Sequence, residues 1–88
     1  AYIHSTKRVG TLLELYCETD FVANTKEFQA LGQEFAMQVA AMNPKDLEDL
    51  LSQGHVRDQG KTVQDLLKDA VGKLGENISI GRFSRFEL

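Results

Sequence analysis

Cys17, His4 and His55 are the chain's single cysteine and its two histidines, and they are the residues that could carry nucleophilic or metal chemistry. A thiol nucleophile needs its thiolate, which a helix N-terminus and a histidine base both favour. Cys17 stands close before a helix-start signal. Neither histidine, however, has a nearby carboxylate at a telling spacing, and Cys17 falls on the apolar side of an alternating stretch, so the pattern reads it as a buried structural thiol. Positions 4, 17 and 55 show none of the paired short spacings of a zinc site. Asp46, Glu48 and Asp49 read as a solvated helix start, favourable near the positive end of the dipole, rather than as a cation site. Gly72, Lys73 and Gly75 lack the spacing and the following Ser or Thr of a phosphate-binding loop. The expectation is therefore a chain that is not an enzyme and holds no cofactor and no metal.

A different feature follows Cys17 directly, in the run Cys17-Glu18-Thr19-Asp20-Phe21-Val22-Ala23. Thr19 and Asp20 are both good N-cap residues, with oxygens able to accept from the free amides of a first helical turn starting at Phe21. A bulky aromatic at such a handover projects outward easily. Spacing alone leaves two readings for Phe21, a hydrophobic staple or ordinary core residue, and a contact for a partner.

The chain as a whole reads as one small soluble domain. With 88 residues it buries only about 60% of the surface its unfolded form exposes, so its stability should be modest. It is 42% hydrophobic and 26% charged with one proline, which argues against extensive disorder. The net charge is −3 and the basic residues are scattered, leaving no footprint for a phosphate backbone. No apolar run approaches the roughly 18 residues of a membrane span, and no signal-peptide pattern opens the chain. A single cysteine fits a reducing compartment, which points to the cytosol. There is no internal repeat. The start at Ala1, straight into Tyr2-Ile3-His4, and the strand-like end read as the ends of a fragment.

The elements that must position these residues follow from periodicity. Residues 8 to 17 alternate, with Val9, Thr11, Leu13, Leu15 and Cys17 on one face and Gly10, Leu12, Glu14 and Tyr16 on the other. Tyr2-Ile3-His4 predicts a short strand paired with it through a turn at residues 5 to 7. Asn24 and Glu27 resemble a capping box before the spacing of Phe28, Leu31, Phe35, Val39 and Met42, which predicts a long amphipathic helix. Asn43 and Pro44 suit the start of a short helix carrying Leu47, Leu50 and Leu51, stopped near Gly54. Thr62 with Asp65 opens another helix through Val63, Leu66, Leu67, Ala70, Val71 and Leu74, and Gly75 ends it. Ile78 to Leu88 alternates again, with Ile78, Ile80, Phe86 and Leu88 on one face and Phe83 on the other.

The order β-β-α-α-α-β predicts a two-layer α+β domain, a three-stranded antiparallel sheet with the helices on one face. Leu12, Tyr16 and Phe83 then point to the second face, and a sheet apolar on both sides needs a cover there.

Residues 9 to 23, Val-Gly-Thr-Leu-Leu-Glu-Leu-Tyr-Cys-Glu-Thr-Asp-Phe-Val-Ala, resemble the second strand and the Thr-Asp-Phe-Val-Ala signature of the elongation factor Ts family. Tyr2-Ile3-His4 is similar to that family's opening strand, Phe35-Ala36-Met37-Gln38-Val39-Ala40-Ala41 to its first long helix, and Gly75-Glu76-Asn77-Ile78 with Arg82-Phe83 and Arg85-Phe86 to its last strand. The resemblance covers nearly the whole chain. It implies a factor of protein biosynthesis in the cytoplasm, or in an organelle, that binds the GTPase elongation factor Tu and promotes GDP release. It places Thr19, Asp20, Phe21, Val22 and Ala23 at that contact, with Asp20 and Phe21 entering near the helices that flank the magnesium and phosphates.

The physical basis of such exchange is linkage: a partner that prefers the nucleotide-free GTPase must weaken GDP binding by the same factor. A ten-thousandfold shift needs about 5.5 kcal/mol of differential affinity, whereas burying one phenylalanine supplies about 1.5–3 kcal/mol. Phe21 alone is insufficient, and a broader interface must supply the rest. The family resemblance also brings an N-terminal helical domain and often a second sheet module or a dimer, neither of which these 88 residues contain. The expectation is a single core module over residues 1–88 that forms a homodimer through the open sheet face. The alternative is a binding or dimerisation module of the family without exchange activity of its own.

Overall fold

The computed structural model describes residues 1–4 and 8–88; the turn expected at residues 5 to 7 lies outside the described residues. The strands are β1 (Tyr2–Ile3), β2 (Val9–Tyr16) and β3 (Ser79–Glu87), and the helices α1 (Asp20–Ala23), α2 (Lys26–Met42), α3 (Leu47–Ser52) and α4 (Val63–Leu74). The strands form one antiparallel sheet in the order β1-β2-β3. The helices pack on one face of it, giving the expected α+β arrangement with one additional short helix. Phe35 and Val39 of α2, Leu50 of α3, Val63 of α4 and Ile80 of β3 form the main core, lined from the sheet by Leu13, Leu15 and Phe83. A second cluster of Val22, Phe28 and Ile78 sits at the end of the sheet where β2 leads into α1.

Helix boundaries follow local hydrogen bonding, and in two places they depart from expectation. α2 is capped by Thr25, whose hydroxyl accepts from the Phe28 amide at 3.2 Å, while Asn24 serves instead as the C-cap of α1. Asn43 does not open α3. It closes α2 in the left-handed conformation at φ 47°, a conformation asparagine tolerates better than most residues, and α3 starts after Asp46, whose carboxylate accepts from the Asp49 amide at 2.8 Å. α3 ends with Gln53 as its C-cap, one residue before the expected Gly54. α4 has the expected capping box, with Thr62 and Asp65 each accepting from the other's backbone amide. Gly75 ends it at φ 74°.

The largest departure is in β3. Ile80 pairs with Leu15 and Phe83 with Leu13, so Gly81 and Arg82 together face the single residue Glu14, a β-bulge. An extra residue in one strand reverses its side-chain alternation. Phe83 therefore joins the core rather than the open face, and Phe86 and Leu88 are exposed rather than inward. Phe86 pairs with Gly10, and Gly10 with Ile3 on the far side. The open face accordingly carries Ile3, Leu12, Tyr16 and Phe86, all more than half exposed.

Glu14 holds the bulge. Its carboxylate accepts from the Arg82 backbone amide at 2.9 Å and from the Arg82 guanidinium at 3.1 and 3.0 Å. Bonding to Arg82, and then to the Tyr16 hydroxyl, draws the Glu14 pKa from 4.5 down to about 2, and the same bond raises that of Tyr16. The Tyr16 ring lies over Gly81, where a Cβ would meet ring carbon Cε2 at 2.4 Å. Only glycine leaves that ring its place.

The link from α3 to α4 is tied back to α2. Gln38 is fully buried, and its amide donates to Gln53 Oε1 at 3.2 Å and to the Gly54 carbonyl at 3.0 Å. Its carbonyl accepts from the Val56 amide at 3.0 Å. Beside it His55 Nε2 lies 2.9 Å from Glu34 Oε2, and Arg57 lies 3.2 Å from the other oxygen.

Candidate functional site

β2 ends at Tyr16, and the chain turns through Cys17 and Glu18 into α1. The Thr19 hydroxyl accepts from the Val22 amide at 3.3 Å, so Thr19 is the cap, and the helix begins at Asp20, one residue before the expected start. Thr25 closes the far side: its hydroxyl donates to the Val22 carbonyl at 2.7 Å and also caps α2. Two threonines six positions apart therefore bracket one short helical turn. A turn this short has little intrinsic stability, because nucleation costs more than its few hydrogen bonds return. Tertiary anchoring must hold it.

Val22 is that anchor. It is 5% exposed and packs with Phe28 and Ile78. Neighbouring residues of a helix point about 100° apart, so burying Val22 turns Phe21 away from the core. Phe21 is 84% exposed, the most exposed aromatic side chain in the chain among the described residues. This excludes the staple and core readings of Phe21. Asp20 is exposed beside it, and Ala23 is half-buried against the second cluster. The five residues Thr19 to Ala23 thus divide into a cap, two outward residues and two inward ones.

The turn is also tied to the link between α4 and β3, through contacts that sequence reasoning missed. Glu76 Oε1 accepts from the backbone amides of Glu18 and Thr19, each at 3.0 Å, and Glu76 Oε2 accepts from the Thr19 hydroxyl. In return, Glu18 Oε1 accepts from the Asn77 amide at 3.1 Å. Such pairings span 57 to 59 positions, and no local pattern announces them.

The residues considered for nucleophilic chemistry do not come together. Cys17 is half-buried, packs against the second cluster, and directs its thiol to the Thr19 carbonyl at 3.2 Å. His55 is bonded to Glu34 on the α3–α4 link, and His4 lies against Tyr2. Asp46 and Asp49 spend their carboxylates on backbone amides at the start of α3. Among the described residues no group of three or more His, Cys, Asp or Glu is placed to hold a metal ion, and no helix is long and apolar enough to cross a membrane.

Comparison with known proteins shows the family. A family model described as elongation factor TS matches residues 18–88, which include the turn. An elongation factor Ts of Leptospira biflexa is 38% identical over 133 aligned positions, covering all of this chain and 67% of the relative. That of Caldanaerobacter subterraneus is 39% identical, covering 99% and 66%, and that of Thermoanaerobacter pseudethanolicus 40% identical, covering 99% and 65%. The aligned stretch is longer than the chain itself, so these relatives carry segments without a counterpart here, and the match spans about two thirds of their length.

Proposed function

The chain belongs to the elongation factor Ts family, and from that premise we propose that it is a non-enzymatic translation factor that binds elongation factor Tu and promotes GDP release, gripping the GTPase through Thr19 to Ala23. The observation that carries this reading is Phe21, 84% exposed on a turn whose next residue is 5% exposed. Leaving a phenylalanine in water forgoes about 1.5–3 kcal/mol of burial, and a turn capped on both sides holds it in one place. Aromatic residues are enriched in interface cores, and holding one in its bound position lowers the ordering cost of association. With a net charge of −3 the partner is a protein rather than nucleic acid, and the site of action is the cytoplasm or an organelle that translates.

Docking Phe21 removes most of its remaining exposed surface, so Phe21→Ala should weaken binding by roughly 10- to 70-fold, at 1.4 kcal/mol per decade. The test is release of labelled GDP from elongation factor Tu as a function of added chain. The wild type should accelerate release, and Phe21→Ala should need correspondingly more protein for the same rate. Equal potency of the two would show that the contact has been misplaced.

A second reading rests on the open sheet face. Ile3, Leu12, Tyr16 and Phe86 leave an apolar area there of the kind that a second copy covers. On this reading the chain is a dimerising module that binds the GTPase without accelerating release. Light scattering that finds only monomer at high concentration removes it, as does acceleration of GDP release by a monomeric chain.

A further inference from the structure

We infer that Glu76 is a positioning residue for the Phe21 contact, holding the turn from the link between α4 and β3. This rests on the reading of Phe21 given above. Its carboxylate takes three hydrogens from two consecutive residues, the amides of Glu18 and Thr19 and the hydroxyl of Thr19. The Thr19 hydroxyl is at the same time the acceptor for the Val22 amide. Glu76 therefore orients the atom that caps α1, and through it the helical turn on which Phe21 stands.

The arrangement is reciprocal, since Glu18 accepts from the Asn77 amide. Two carboxylates, each bonded to backbone across the gap, set both the distance and the angle between the end of β2 and the start of β3. Glu76 follows Gly75, the left-handed cap of α4, so its backbone is fixed by the end of that helix. The turn is thus referred to two independent supports, the buried Val22 below and the α4 terminus beside it. Val22 fixes the depth of the turn. Glu76 fixes its rotation, because bonds to Glu18 and Thr19 at 3.0 Å leave the approach to Asp20 and Phe21 one direction. A carboxylate oxygen is a stronger acceptor of backbone N–H bonds than a neutral carbonyl, which suits an exposed turn that must not fray.

The experiment measures affinity for GDP-bound elongation factor Tu with the full chain carrying Glu76→Ala, Glu76→Gln, Phe21→Ala, and Phe21→Ala combined with Glu76→Ala. Glu76→Ala should bind about tenfold more weakly, and Glu76→Gln, whose amide oxygen still accepts from both backbone amides, should recover most of that loss. In the Phe21→Ala background the Glu76→Ala change should cost nothing further, because what it positions is gone. A purely structural role would leave its effect unchanged in that background, and that additive result overturns the inference. So does wild-type affinity of Glu76→Ala while Phe21→Ala is weakened, a result that leaves the role of Phe21 standing. Wild-type affinity of Phe21→Ala overturns the inference together with the reading beneath it. Should Glu76→Ala fail to fold, Glu76→Gln in the two backgrounds gives the same comparison, with a smaller effect expected in the presence of Phe21 and none without it.

Discussion

Replacing Gln38 by leucine tests whether a buried amide on α2 holds the α3–α4 link. Gln38 is 0% exposed and makes hydrogen bonds to Gln53, Gly54 and Val56 at 3.0–3.2 Å. Leucine has similar bulk and none of the polar atoms. A typical intramolecular hydrogen bond contributes about 1 kcal/mol net, and stranding a buried donor costs more. Gly54 is exposed, so water can take over its carbonyl. The half-buried Val56 amide is less easily resolvated. The expected loss is about 2–3 kcal/mol. A domain of this size has about 4–13 kcal/mol in all, so the loss is a large part of the total. It corresponds to a fall in Tm of about 10–20 °C. Urea unfolding followed by circular dichroism should show a lower midpoint with an unchanged slope, because the folded core is the same. A loss below about 0.5 kcal/mol, the size of an ordinary surface substitution, would refute the argument that these bonds hold the link.

Three further outcomes concern local electrostatics and capping. The Glu14 pKa is lowered to about 2, so its stabilising contribution is complete above the ordinary carboxylate range and is lost as pH falls from about 4.5 towards about 2; Glu14→Gln should lower the urea midpoint at neutral pH, and the gap to wild type should close on acidification through that window. In the same variant Tyr16 should titrate at lower pH than in wild type, read from phenolate absorbance, because the Glu14 bond is the main cause of its raised pKa. Thr62→Ala removes one half of the α4 capping box and should cost about 1 kcal/mol in the same unfolding assay; no change would mean that the cap is replaced by water.

Much of this architecture was legible because its determinants are local. The start of α4 is written in Thr62 and Asp65 and its end in Gly75, all within one turn of the residues they serve. α2 was legible as a helix, but its first residue was not, since Asn24 and Thr25 can both cap and only tertiary packing assigns Asn24 to the end of α1. Asn43 illustrates a related ambiguity. Its short polar side chain suits an N-cap by type, yet its tolerance of left-handed backbone is what α2 uses. The orientation of Phe83 and Phe86 could not be read at all, because strict alternation assumes an unbroken strand and the bulge depends on Glu14, 68 positions from Arg82. A comparable separation, 57 and 58 positions, hid Glu76. The turn residues Thr19 to Ala23 were legible as a group, and what the structure adds is which two of them face outward.

The bulge at Gly81 and Arg82 also bears on how the chain finds its fold. β2 and β3 lie at opposite ends of the helical half, so their pairing closes a loop containing α1 to α4, a non-local contact of the kind that forms slowly. Two strands meeting late can slip, and a slip by two residues keeps side chains on their proper faces and is penalised only weakly in a regular ladder. Here such a slip would take Arg82 off Glu14 and move the two-for-one step opposite a residue that cannot answer it. One alignment alone sets Arg82 on Glu14 and seats Tyr16 on Gly81. The irregularity acts as a key that lets the final strand dock in a single register.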